Sequence, residues 1–430
     1  MNYYSTNKGS PVVSFKEATI QGQAPDGGLY FPEHIPILPD GFIKKLKSLS
    51  KEEIAYTVIK PYVGDTIPTN VLKTIVTETI NFPIPLFAIN DHISALELYH
   101  GPTLAFKDVG ARFMSRCLGY FLKDKDQEVT VLVATSGDTG GAVANGFYDV
   151  EGVKVVILYP SGKVSMVQEL QLTTLGKNIT ALEIAGTFDD CQYLVKQVFT
   201  DAQLNEHLFF TSANSINISR WLPQQFYYFF AYQQWEHEID PVISVPSGNF
   251  GNICAGMLAH LSGLPVRHFI AACNANNTVP QYLQTGNYQT APAISTISNA
   301  MDVGNPSNFI RLLELFQHDF PSLKKILSSV SISDKETAGT LKNVLAGYNY
   351  LLDPHGAVAY TALKNYLQTH AGDRGIILAT AHPIKFYDVV EPVINQKISV
   401  PQSVQAILNR EKISRQMPAD YNQLKEFLMN

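Results

Sequence analysis

The sequence predicts an α/β fold with mainly parallel sheets, preceded by a small N-terminal domain. The first observation behind this is a series of short apolar, often β-branched runs: Val129–Ala134, Lys154–Tyr159, Ile179–Ile184, Val242–Val245, Val266–Ala272 and Gly375–Ala379. Runs of this length, bounded by turn residues, read as strands buried on both faces, as parallel sheets require. The second is that each run is followed by turn residues and then a helical segment, the alternation of an α/β protein. The third is a change of rhythm near Ile93: before it, short elements mix with loops carrying Pro32, Pro36 and Pro39.

Within the N-terminal stretch, helical spacing runs from about Pro39 to Val63 and again over Thr69–Ile80, stopping at Phe82-Pro83-Ile84-Pro85. After Ile93, Gly110–Lys123 places Phe113, Met114, Cys117, Leu118, Phe121 and Leu122 on one face of a helix. Ala142–Tyr148 reads as helical, and a further helix begins near Asn252. The expected division is residues 1–93, 94–213 and 214–430, with Lys107 in the smaller α/β unit and Thr380 in the larger.

Composition narrows the function. A chain of 430 residues has room for two or three domains. Its 32 basic and 38 acidic residues are mixed, with a net charge of -6 and no basic stripe to track a phosphate backbone, so a nucleic-acid partner is not expected. Cys117, Cys191, Cys254 and Cys273 form no CxxC pair, which points to reduced buried thiols rather than zinc or redox chemistry. The start, MNYYSTNKGSPVVSF, lacks the pattern of a signal peptide, and no apolar run reaches the roughly 20 residues needed to span a bilayer. A cytoplasmic enzyme without a membrane partner, monomer or homodimer, is the expectation.

In parallel sheets ligands bind beyond the carboxyl ends of the strands, so the loops that follow them carry the chemistry. Gly248-Asn249-Phe250-Gly251-Asn252, after one such strand, joins two glycines to a helix start. Its backbone N–H groups suit a bound phosphate, although a plain Asn-capped turn reads equally well. It is neither GxGxxG nor a Walker loop, which argues against a nucleotide. Thr135-Ser136-Gly137-Asp138-Thr139-Gly140-Gly141 offers more polar groups than one helix cap needs, enough to hold a substrate carboxylate or phosphate. Lys107 follows Leu104, Ala105 and Phe106. Desolvation there would depress its pKa and make the amine a nucleophile for Schiff-base chemistry; the alternative is a snorkelling surface lysine. Thr380 ends a buried strand just before His382, where its hydroxyl can meet a heteroaromatic ring nitrogen or simply terminate the strand.

Taken together and in order, HGPTLAFKD, ATSGDTGGA, NSINISRWLPQ, PSGNFGN, MDVGNPSN, DPHGAVA and ATAHPIKF resemble the threonine synthase family of pyridoxal 5'-phosphate (PLP) enzymes, as does the opening PDGGLYFPEHIP. The pieces span Pro25 to Phe386. The resemblance implies the tryptophan synthase β-like fold: two open, mainly parallel α/β domains with an added N-terminal domain. It also implies conversion of O-phospho-L-homoserine and water into L-threonine and phosphate. Lys107 would carry the cofactor as a Schiff base. Gly248, Asn249, Phe250, Gly251 and Asn252 would cradle its phosphate, and Thr380 would meet the pyridine nitrogen. Ser136 and Asp138, with Thr135 and Thr139, would lie near the phenolic oxygen and the substrate carboxylate. Asp138 stands where many fold relatives have Asn, and a carboxylate there would repel a phenolate unless one of them holds a proton.

The substrate brings a second phosphate. Ser215, Asn217 and Arg220 are the candidates for it, Asn217 and Arg220 falling on one face if their segment is helical. Asn305, Ser307 and His355 are weaker ones. Lys107, once freed by substrate, would move protons at Cα and Cβ while phosphate leaves Cγ and water adds at Cβ. The rival readings are a dehydratase or phospho-lyase that yields 2-oxobutyrate, a non-catalytic PLP-binding paralogue, and a cofactor-free α/β protein.

Overall fold

The protein is described by a computed structural model covering residues 1–123 and 128–430. Its parallel architecture follows from the apolar runs. Val129–Ala134, Val153–Pro160, Ile179–Ala185 and Phe209–Ser212 form one parallel sheet, joined at its edge by Arg415–Pro418. A second sheet has the order Leu327–Ser331, His268–Cys273, Val242–Pro246, Gly375–Ala379, Ile93–Glu97 and Leu86–Ala88. All its neighbours are parallel except the last pair. The central strands of both are buried along nearly their whole length, which is why they read as continuous apolar runs rather than alternating ones.

The N-terminal segment forms a small antiparallel sheet of Asn2–Ser5, Val13–Ser14 and Tyr30–Pro32 with two longer helices. The expected single helix over Pro39–Val63 is three pieces: Phe42–Lys45, a 3-10 turn at Leu46–Ser48, and Lys51–Val63. Ser50 causes the restart, because its hydroxyl accepts from the Glu53 amide while Glu53 reaches back to the Ser50 amide. The expected boundaries also cut across the sheets. Leu86–Ala88 lies before position 93 yet belongs to the second sheet, which Ile93–Glu97 enters beside Gly375–Ala379. Arg415–Pro418, from the end of the chain, returns to the first sheet.

One buried cation ties the N-terminal segment to the rest. Arg311 is fully buried on helix Phe309–Leu315 and, among the described residues, makes no salt bridge. Its guanidinium donates to the carbonyls of Tyr30, Ser215 and Ile216 and to Asn308 Oδ1, and lies 4.6 Å from the Trp221 ring centroid. Burial pulls its pKa down to about 9. Arg311→Ala would leave those carbonyls dry and unpaired and open a cavity. It is expected to destabilise the fold by about 3 kcal/mol or more, read as a lowered melting temperature.

Candidate active site

The carboxyl ends of strands from both sheets border one cavity of about 870 Å³, lined by Ala134, Pro160, Pro246 and Thr380 at those ends. Lys107 opens the helix Lys107–Leu122, three residues before the Gly110 start read from the sequence. The segment before it is held tightly. Leu104 has a left-handed φ of 58°, and the Phe106 amide donates to the Thr380 carbonyl at 2.8 Å. A bridge between Ala105 and Ala381 places the Lys107 and Thr380 loops side by side. Asp108 fastens the turn by accepting from the amide and hydroxyl of Thr103. A Cβ at Gly101 would stand 2.4 Å from Asp108 Oδ2, so that position takes glycine.

The Lys107 side chain keeps 19% of its surface exposed, toward the cavity. Burial pushes its pKa down; Asp138 opposes this, while Lys385 and Arg220 add to it. Asp138 and Thr139 lie in the first turn of helix Asp138–Phe147, not in a loop. The Asp138 carboxylate is held ionised: burial resists, but the ammonium groups of Lys385 and Lys107 prevail and carry its pKa well below the ordinary range. Its Oδ1 takes Lys385 Nζ at 3.0 Å and Gln168 Nε2 at 3.0 Å, and its Oδ2 lies 3.8 Å from Lys107 Nζ.

At Gly248–Asn252 the chain turns into helix Gly251–Leu261 through a left-handed Phe250, whose ring packs edge-on against Phe309. Among the described residues, none of the five backbone N–H groups from Gly248 to Asn252 has a protein acceptor. The side chains of this loop are used internally. Asn249 accepts from Ser307, and Asn252 donates to the Pro246 carbonyl and accepts from the Ile253 amide. What the loop presents to the cavity is therefore backbone. Ser136, Thr139 and Thr380 also line the cavity, and among the described residues their hydroxyls are not taken by other protein groups.

Arg220 lines the cavity and makes no salt bridge among the described residues. It is buried, donates to the Ala213 carbonyl, and leaves its Nε unpartnered. Burial lowers its pKa to about 10, against the pull of Tyr227 and Asp108. Ser215 stands nearby with its hydroxyl accepting from Asn308.

Two expected contacts take other duties. Asn217 does not line the cavity: it caps the short helix Ile218–Trp221 and is buried. Its Nδ2 donates to the carbonyls of Thr19 and Ser212, and its Oδ1 accepts from the amide and hydroxyl of Ser219, so no hydrogen-bonding group is left for a ligand. Thr135 borders the cavity, but its hydroxyl accepts from the Gly137 and Gly140 amides. Asn305, Ser307 and His355 also line the cavity. His355 accepts from the Ala300 amide at Nε2, which leaves Nδ1 to donate to Asp353. Lys385 went unremarked in the sequence, although Pro383-Ile384-Lys385-Phe386 surrounds a lysine with apolar neighbours just as Leu104-Ala105-Phe106 does for Lys107. Among the described residues, no group of three or more potential metal ligands occurs, and no helix is long and apolar enough to cross a membrane.

Residues 83–380 match the family described as pyridoxal-phosphate dependent enzyme. Residues 2–80 match the threonine synthase N terminus, and residues 356–428 its C-terminal part. Over the full length, the chain is 44% identical to a threonine synthase of Serratia marcescens, covering 99% of that protein. It superimposes on the crystal structure of threonine synthase from Escherichia coli with a TM-score of 0.93 at 42% identity, covering all of both chains. The PLP-bound threonine synthase from Brucella melitensis gives 0.92 at 34% identity, covering 100% of this chain and 98% of that one. The chain belongs to the threonine synthase family of pyridoxal-phosphate-dependent enzymes.

Proposed function

We propose that this chain converts O-phospho-L-homoserine and water into L-threonine and phosphate. The observation that carries the reading is one cavity that brings together two groups able to bind anions, the free amides of Gly248–Asn252 and the Arg220 guanidinium with its unpartnered Nε, and the partly exposed Lys107. A cofactor phosphate and a substrate phosphate need two such groups.

The residues fit PLP. Lys107 would hold its aldehyde carbon, the amides of Gly248, Asn249, Phe250, Gly251 and Asn252 its phosphate, and the Thr380 hydroxyl its ring nitrogen. Bound there, PLP supplies an electron sink that makes protons on the amino-acid carbons removable. A neutral hydroxyl at the ring nitrogen does not force that nitrogen to be protonated, which suits elimination and replacement. The free Lys107 amine, with its lowered pKa, is suited to take the Cα proton and then a Cβ proton, and to return protons at Cγ and Cα. Arg220 and Ser215 hold the leaving phosphate, and Ser136 and Thr139 orient the substrate carboxylate. Asp138, ionised but paired with Lys385, brings no net charge to the cofactor's phenolic side.

A stoichiometric assay tests the reading. Phosphate and threonine in equal amounts from O-phospho-L-homoserine support it, whereas phosphate with 2-oxobutyrate would make the protein a lyase. The loop can be probed separately. A Cβ at Gly248 would stand 2.7 Å from Met301 Cα, a backbone atom that cannot step aside. Gly248→Ala is expected to cost about 1–3 kcal/mol of stability and to weaken cofactor retention on desalting.

A further inference from the structure

Lys385 is the most deeply placed charge beside the site. Its side chain has no exposed surface, and it enters from the 3-10 turn Pro383–Phe386 that follows strand Gly375–Ala379. Its ammonium meets three acceptors: the Thr103 carbonyl at 2.7 Å, Gln171 Oε1 at 2.8 Å and Asp138 Oδ1 at 3.0 Å. A buried ammonium with all its protons used is fixed in place. Asp138 sits between two lysines and is bound closely to only one: Lys385 and Gln168 take Oδ1, while Lys107 stays 3.8 Å from Oδ2. Without Lys385, the same carboxylate would face Lys107 as its one cationic neighbour.

We infer that Lys385 is a positioning residue: by binding Oδ1 of Asp138 it holds that carboxylate off Lys107, so that the Lys107 amine stays free of a close ion pair. The inference rests on Lys107 being the cofactor lysine. Bond formation there needs the neutral amine: nitrogen adds to the aldehyde carbon of PLP, C=N replaces C=O, and the oxygen leaves as water. A close Lys107–Asp138 pair would keep the amine protonated. The charged groups acting on Lys107 are Asp138, Lys385 and Arg220. Asp108, on its own helix, is turned to Thr103, and the Tyr227 hydroxyl is turned to the Phe106 carbonyl. Lys163, Asp189, Asp302 and His355 stand elsewhere on the cavity wall.

The test is the rate at which cofactor-stripped full-length protein regains the visible band of lysine-bound PLP, measured across pH. In Lys385→Met the rate at neutral pH should fall about tenfold and the half-maximal pH should move up, because Asp138 then acts on Lys107 alone. In Asp138→Asn the half-maximal pH should move down, because the Lys385 cation is left uncompensated. The double variant, with neither charge, should return toward the parent value. A lysine that merely props the fold would lower the amount of band formed without moving the pH midpoint. An unmoved midpoint in Lys385→Met overturns the inference; if that variant does not fold, an unmoved midpoint in Asp138→Asn does so. Failure of the parent protein to form the band would overturn the placing of the cofactor on Lys107, and this inference with it.

Discussion

Lys107→Ala is expected to lose the visible band of the lysine-bound cofactor and to lose turnover with it, by at least about three orders of magnitude. The expectation comes from position as much as residue type. Lys107 is held at the start of its helix by the Phe106–Thr380 hydrogen bond and the Ala105–Ala381 bridge, which set it beside the proposed partner of the ring nitrogen. Its surroundings lower its pKa, as a residue that must act as nucleophile and as base requires. The alternatives are specific. Lys163 also lines the cavity, and Lys385 lies buried beside Asp138. A band that persisted in Lys107→Ala would place the cofactor on one of these. Absorbance and turnover measured on one preparation decide the matter.

Arg220→Ala is expected to raise KM for O-phospho-L-homoserine by about 10- to 100-fold while leaving PLP affinity within a few-fold of the parent. Arg220 is buried in the cavity wall and, among the described residues, makes no salt bridge, and its Nε has no acceptor. Burying a guanidinium in this way is costly unless a ligand completes it. Arg220→Lys keeps the charge but loses the planar fork, and should recover only part of the loss. If cofactor and substrate binding weakened equally, Arg220 would belong to the phosphate site of the cofactor or to the scaffold instead.

The strands were legible because burial on both faces writes itself into sequence as apolar runs: Val129–Ala134 and Gly375–Ala379 fall where the sequence places them. Helix starts were less legible. Lys107 is helical ahead of the spacing that begins at Gly110, and Asp138 is helical among small and polar neighbours, because hydrogen bonds such as Phe106 to Thr380 and Gln168 to Asp138, rather than apolar spacing, hold those first turns. Sheet membership was hidden as well, since the pairing of Ile93–Glu97 with Gly375–Ala379 joins residues almost three hundred positions apart. In the site, residue type pointed to the right loops but could not tell a side chain aimed at a ligand from one spent on the scaffold. Asn217 caps a helix, and the Thr135 hydroxyl is spent on the Gly137 and Gly140 amides. Asp138, puzzling as a lone carboxylate, makes sense only with Lys385, which lies 247 positions away.

The central claim is that the bond broken is carbon–oxygen at Cγ and that water enters the carbon skeleton at Cβ. Turnover of O-phospho-L-homoserine in ¹⁸O-labelled water, with both products examined by mass spectrometry, tests it most directly. Threonine carrying one ¹⁸O and phosphate carrying none is the predicted result. Labelled phosphate released with unlabelled homoserine would mean that water attacks phosphorus, and would contradict the account.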